Sequence, residues 1–213
     1  VRRCSSQSTS ALPFGLADAA HVLSEFAMPL SSKTLILIDV QVGFDHPFWG
    51  SRNNPQAEDN ALALLAAVRA AGGRIMHVRH LSTEPGSPLV GAGAAFKPGF
   101  EPKAGETLYE KTVNSAFIGT RLEEDLRAAG AHDLIVCGLT TPHCVSTTTR
   151  MAANLGFSVA LAHDACAAFA RNADVSFDGG PVPTPDDIHR SAVSHLHGEF
   201  ARAVRTRDLI AGA

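Results

Sequence analysis

TLILIDV, residues 34–40, is a short, nearly continuous apolar run rich in β-branched side chains, the pattern of a strand buried on both faces. Asp39, near its end, is the exception. Outward from this run, QAEDNALALLAAVRAA (56–71) carries alanine and leucine at helical spacing and meets its stop at Gly72-Gly73. RIMHVRH (74–80), TLYEK (107–111), DLIVCG (133–138) and SVALAHDA (158–165) read as further strands. Thr120 to Ala129 predicts a helix with Thr120 as N-cap, Glu123 completing a capping box and Gly130 closing it. CVSTTTRMAANL (144–155) predicts another, ending at Gly156, and a last helix is expected over Pro185–Val204. Strands separated by helices of this length imply an α/β fold: a doubly wound, mostly parallel sheet with right-handed crossovers, flanked by helices on both faces.

Two stretches stand outside this alternation. Residues 84–105 are rich in Pro and Gly and too long for a tight connection, so they are expected to wall a pocket. Residues 174–183 read as a second such loop. The 213 residues suit one domain, expected over 33–213, with residues 1–32 as a partly helical N-terminal extension. Apolar residues make up 45% and charged ones 18%, an ordinary globular composition. A formal charge of −3 without a basic block gives no attraction to nucleic acid or to anionic membrane.

Cys4, Cys137, Cys144 and Cys166 are widely spaced, with no C-x-x-C pair, which matches neither a zinc knuckle nor a disulfide framework. Asp18, His21 and Glu25 interrupt the apolar stretch that a signal peptide would need. A reducing, cytoplasmic setting is the expectation.

In sheets of this type ligands gather beyond the carboxyl ends of the strands, where three reactive side chains fall. Asp39 ends the first strand, Lys111 follows the short one, and Cys144 stands just past DLIVCG at a predicted helix start. Free cysteine is usually a small buried hydrophobe, the expectation for Cys137 and Cys166. Cys144 differs because unpaired N–H groups and the helix dipole favour a thiolate there and could bind an oxyanion. A carboxylate inside an apolar run needs compensation. An ammonium beside it would supply that, and the two beside a thiol could relay its proton.

These residues stand in four ordered motifs: LILIDVQ with Asp39, KTVNSAF from Lys111, VCGLTTPHCV around Cys144, and LAHDA with Asp164. With them the chain resembles the isochorismatase-like cysteine hydrolases, which include nicotinamidases, carbamoylsarcosine and ureidoacrylate amidohydrolases and streptothricin hydrolase. The resemblance spans residues 33–210. It implies a catalytic triad of Asp39, Lys111 and Cys144, a cis peptide between Leu139 and Thr140, and an oxyanion hole formed by the backbone N–H groups of Thr140 and Cys144. It further implies hydrolysis of a C–N bond in a small amide, ureide or lactam through a Cys thioester, without a cofactor, by a homo-oligomer, dimer or tetramer. Nicotinamidase or metal-assisted isochorismatase chemistry is the alternative, and a non-catalytic redox or ligand-binding relative is another.

Departures from the family pattern bear on a metal. Nicotinamidases carry a D-x-H arrangement after the first strand, whereas this chain has Asp45-His46-Pro47. His77 and His80, three apart in a strand, point to opposite faces, so no metal site is expected. Phe44, Trp49, His80 and Phe117 are the candidate substrate contacts, with core or interface packing equally open for the phenylalanines. Arg52 is a candidate partner for a substrate carboxylate. Asp164 is expected to support neighbouring loops, Arg150 to be structural, and His143 to face away from the thiol.

Overall fold

The computed structural model describes residues 29–212; the extension expected over residues 1–32 lies outside them except for its last four. Six strands form one parallel sheet in the order β3-β2-β1-β4-β5-β6. They are β1 (Thr34–Ile38), β2 (Arg74–His80), β3 (Thr107–Lys111), β4 (Asp133–Leu139), β5 (Ser158–Ala167) and β6 (Arg202–Val204). Among the described residues five α-helices accompany them: α1 (Ala57–Ala70), α2 (Leu122–Ala128), α3 (Ser146–Asn154), α4 (Pro185–Leu196) and α5 (Thr206–Ala211). β1 is buried along its whole length and paired on both edges, as its unbroken apolar run requires.

From β1 the chain winds outward to β2 and β3, then crosses back to β4 and winds outward the other way. Right-handed crossovers in opposite directions place the helices on opposite faces. α1 packs on β2, β4, β5 and α5, whereas α3 packs on β5 and α4. The inward stripe of α1 is Ala57, Ala61, Leu64, Leu65 and Val68, a spacing of three and four that only a helix presents on one side. Adjacent strands β1 and β4 lead away in opposite directions, so a crevice opens between the loops that follow them.

The expected final helix over Pro185–Val204 is corrected: it stops at Leu196, and Arg202–Val204 form a sixth strand beside Ala160–Ala162. Gly198 takes φ +88°, a left-handed turn that ends the helix and lets the chain return along the open edge of β5. The helix expected from Thr120 begins at Leu122. Thr120 Oγ1 accepts the Leu122 N–H at 3.2 Å, but Glu123 pairs with Arg127 at 2.8 Å in place of completing a capping box. Cys144 lies inside a π-helical turn, Thr141–Val145, that runs directly into α3. Cys137 and Cys166 are fully buried beneath the sheet's surface, as expected. Among the described residues no helix is long and apolar enough to cross a membrane.

One glycine is dictated by the pairing of the central strands. Gly138 sits at φ +125°, and a Cβ there would come within 2.0 Å of the Ile38 carbonyl oxygen of β1. Backbone cannot yield as a flexible side chain can. Gly138→Ala is expected to cost at least about 3 kcal/mol, read as a lower urea midpoint; an unchanged midpoint would show that the strands tolerate a wider gap.

Candidate active site

Each reactive group is placed by a break in regular structure. The Asp39 N–H still completes the β1–β2 ladder through Val78 O at 2.9 Å, but the residue turns to φ +51°, a region Asp tolerates better than most residues. The chain leaves the sheet there. Two residues on, the buried Gln41 side chain accepts from His80 N at 2.8 Å and donates to the carbonyls of His80 at 2.9 Å and Ala94 at 3.1 Å. It ties the ends of β1 and β2 to the loop that follows. Lys111 is the last residue of β3.

These positions converge. Lys111 Nζ donates to Asp39 Oδ2 at 2.6 Å and to Cys144 Sγ at 3.3 Å, with Asp39 and Lys111 almost wholly excluded from solvent. The Lys111 ammonium is also 3.1 Å from His80 Nδ1. Asp39 Oδ1 has no hydrogen-bond partner, although the Cys144 side chain lies near enough to the carboxyl to favour its charged form. Asn114 Oδ1 lies 3.7 Å from Sγ. Leu139–Thr140 is a cis peptide, and Thr140 faces the same space as Cys144.

The electrostatics follow from burial. Desolvation raises the Asp39 carboxyl above its ordinary value, against the pull of the Lys111 charge and the hydrogen bonds from Lys111 and Cys144. Desolvation and the neighbouring Asp39 charge push the Cys144 thiol up to about 12, only partly offset by Lys111. At neutral pH the sulfur therefore keeps its proton, beside a carboxylate made more basic than usual. Such a pair can deliver a thiolate at the moment of attack, with no standing ion pair of thiolate and base.

Cys144 lines a cavity of about 620 Å³. One wall is aromatic: Phe44 lies 4.8 Å from Trp49 between ring centroids, and Phe48 meets Trp49 edge-on at 5.1 Å. The Trp49 indole N–H is held by Gly43 O at 2.9 Å, so its ring is fixed. Ser82, Thr83, Glu84, Pro85, Ser87 and Leu89 also line it, the last four of them within residues 84–105, where a pocket wall was expected. Arg171, which the sequence did not single out, lies at the rim with its guanidinium 4.1 Å from the Phe48 ring centre. A larger space of about 970 Å³ beside β6 contains none of the three reactive groups.

Of the expected contacts, Phe44, Trp49 and His80 line the cavity and Phe117 does not. Phe117 is corrected to core: the chain turns after Lys111 and buries it in the main apolar cluster, stacked on Phe157 at 6.2 Å. Arg52 is also corrected, because both its terminal nitrogens are taken by Glu58 at 2.8 Å. Asp164 holds the start of α5, accepting from Thr206 N and Oγ1 at 2.8 Å. Arg150 lies over Phe200 at 4.5 Å. His143 reaches the cavity without a hydrogen bond to the thiol, and burial lowers its pKa. Asn114 and Gln41 were within quoted motifs yet unassigned; their signal was position beside Lys111 and Asp39.

Metal ligation has little to work with. Asp45 is engaged by Lys97 at 2.5 Å, His46 Nδ1 accepts from Phe48 N, and His77 turns away to Glu106 at 2.8 Å. The cluster of potential ligands found among the described residues is Asp39, His80 and Cys144, within 4.8 Å of one another. Lys111 Nζ already contacts all three. A cation would have to displace an ammonium from the point where it would bind.

A buried thiol, carboxylate and ammonium thus stand together at the crevice of a doubly wound sheet. The chain belongs to the isochorismatase family, whose Isochorismatase domain model matches residues 33–206. It is 42% identical over 182 residues to the isochorismatase family protein YrdC of Bacillus subtilis, covering 84% of this chain and 94% of that one. It is 34% identical over 178 residues to streptothricin hydrolase of Streptomyces noursei, covering 79% of this chain and 59% of that one. The crystal structure of an isochorismatase-family protein from Chromobacterium violaceum superposes with a TM-score of 0.79 at 44% identity, covering 85% and 93% of the two chains.

Proposed function

We propose that this hydrolase cleaves a C–N bond of a small amide, ureide or lactam through a thioester on Cys144. The observation that carries the reading is Lys111 bridging the buried Asp39 carboxylate and Cys144, whose side chain lines the cavity. Asp39 takes the thiol proton as sulfur attacks the carbonyl carbon, and the C=O electron pair moves onto oxygen. The backbone N–H groups of Thr140 and Cys144 hold that oxyanion. Asp39 passes its proton to the departing nitrogen as the C–N bond breaks, leaving thioester and free amine or ammonia. It then takes a proton from water, whose hydroxide attacks the thioester; the carboxylic product leaves and the thiol regains its proton. Lys111 keeps its charge throughout and balances the negative charge as it moves between Asp39, sulfur and oxyanion.

The aromatic wall suits an apolar or planar acyl body. The similarity to streptothricin hydrolase supports streptothricin among the first substrates to try. The test is ammonia or amine release across nicotinamide, ureides, carbamoyl amino acids, biuret and lactams, with the acyl-enzyme caught by intact-mass measurement after rapid acid quench. Turnover with no acyl mass on Cys144 would overturn the covalent route.

The pH profile is a further expectation. Asp39 must be ionised to accept the proton and its carboxyl is raised, so kcat/KM falls as pH drops through a value above the usual carboxylate figure of about 4. That limb belongs to the coupled Asp39–Cys144 pair. A profile flat down to the ordinary carboxylate range would remove Asp39 as the base.

A further inference from the structure

His80 lines the cavity beside Cys144 and is within ligand distance of Asp39 and the thiol, so substrate contact and metal ligation are its obvious roles. The geometry assigns it a different one. A lysine ammonium has three N–H groups and no lone pair. Lys111 directs them at Asp39 Oδ2 at 2.6 Å, Cys144 Sγ at 3.3 Å and His80 Nδ1 at 3.1 Å. Because Nζ can only donate, Nδ1 must accept, and the ring proton must sit on Nε2. The Val113 backbone lies near enough to the ring to favour its protonated form, the side on which that proton would be received. Burial and the Lys111 charge lower the His80 pKa to about 4, which agrees with a neutral ring at working pH.

We infer that His80 is a positioning residue: its neutral imidazole takes the third N–H of Lys111 and so fixes the ammonium between base and nucleophile. The inference rests on the cysteine-hydrolase reading of the site. Its consequence is that Lys111 has no N–H left for substrate. Without the acceptor, a buried N–H goes unpaired, and the ammonium turns away from sulfur toward the cavity.

The test compares His80→Leu with His80→Asn, whose Oδ1 can stand where Nδ1 stands. Two readouts are used: steady-state kinetics on the best amide, and the rate of Cys144 alkylation by iodoacetamide at alkaline pH, followed by intact mass. His80→Leu is expected to lose about 100-fold in kcat, the order expected for misplaced catalytic groups, with KM changed less than about threefold, and to alkylate about tenfold more slowly as the thiolate loses its cation. His80→Asn is expected to retain most of both. Equal losses in Leu and Asn, or a loss confined to KM with alkylation unchanged, would overturn the inference and make His80 a substrate contact. A stoichiometric divalent ion in the purified enzyme, lost in His80→Leu, would also overturn it. If the wild type turns over no amide, the amide reading fails by itself, and the alkylation rates still decide for or against the role of His80. Should His80→Leu fail to fold, an alkylation rate in His80→Asn as slow as in Lys111→Met counts against the inference, and a rate near wild type supports it.

Discussion

Cys144→Ala removes all measurable turnover, an expected loss of at least about 10⁴-fold, the range seen when a covalent nucleophile is deleted. The effect is chemical. Sγ sits in a prepared space, flanked by Lys111 and Asn114, and alanine keeps the backbone of the π-helical turn. The folded state should persist with a urea midpoint close to that of the wild type, since Asp39 and Lys111 still satisfy each other at 2.6 Å. Mass spectrometry completes the measurement: the acyl adduct seen with wild type is absent in the variant. Residual activity above a few per cent would mean that a water, not sulfur, attacks the substrate.

Asp39→Asn has the second large effect, and it acts on activity and stability together. Asparagine is nearly the same shape but cannot accept the thiol proton, so turnover should fall at least about 10³-fold, within the range general-base loss produces. The variant also leaves Lys111, which has no exposed surface on its side chain, without its counter-charge. Breaking one side of a buried pair typically costs about 3–5 kcal/mol. Adding Lys111→Met should recover much of that stability while recovering no activity. A double variant as unstable as Asp39→Asn would show that the pair is not the source of the loss, and an active single variant would remove Asp39 as the base.

The alternating apolar runs and helical stripes were enough to predict a doubly wound sheet, because burial on two faces leaves a pattern in every central strand. The edge strand β6 left no such trace: its residues are only half-buried and lie where helical spacing has just ended, so a helix through Val204 was the natural extrapolation. Asp39, Lys111 and Cys144 were legible because an acid in an apolar strand and a thiol past a strand end are each locally anomalous. Phe117 and Arg52 misled for the opposite reason. Their types suit a pocket as well as a core stack or a surface ion pair, and only the direction of the chain after β3 and the position of Glu58 distinguish these. Arg171 carries no sequence mark at all, since its place at the rim depends on Phe48 arriving from a different loop.

The raised thiol has a pharmacological consequence. With burial and the neighbouring Asp39 charge pushing its pKa to about 12, the resting sulfur at neutral pH carries far less thiolate than an ordinary exposed cysteine. Haloacetamides, maleimides and peroxide, which need a ready-made thiolate, will find this enzyme sluggish. Nitriles and aldehydes, which pass through a tetrahedral or imidate adduct while accepting the proton that Asp39 carries, will find it receptive. Covalent ligands for this cavity should therefore be chosen for imitating the substrate's carbonyl, not for reactivity toward thiols at large.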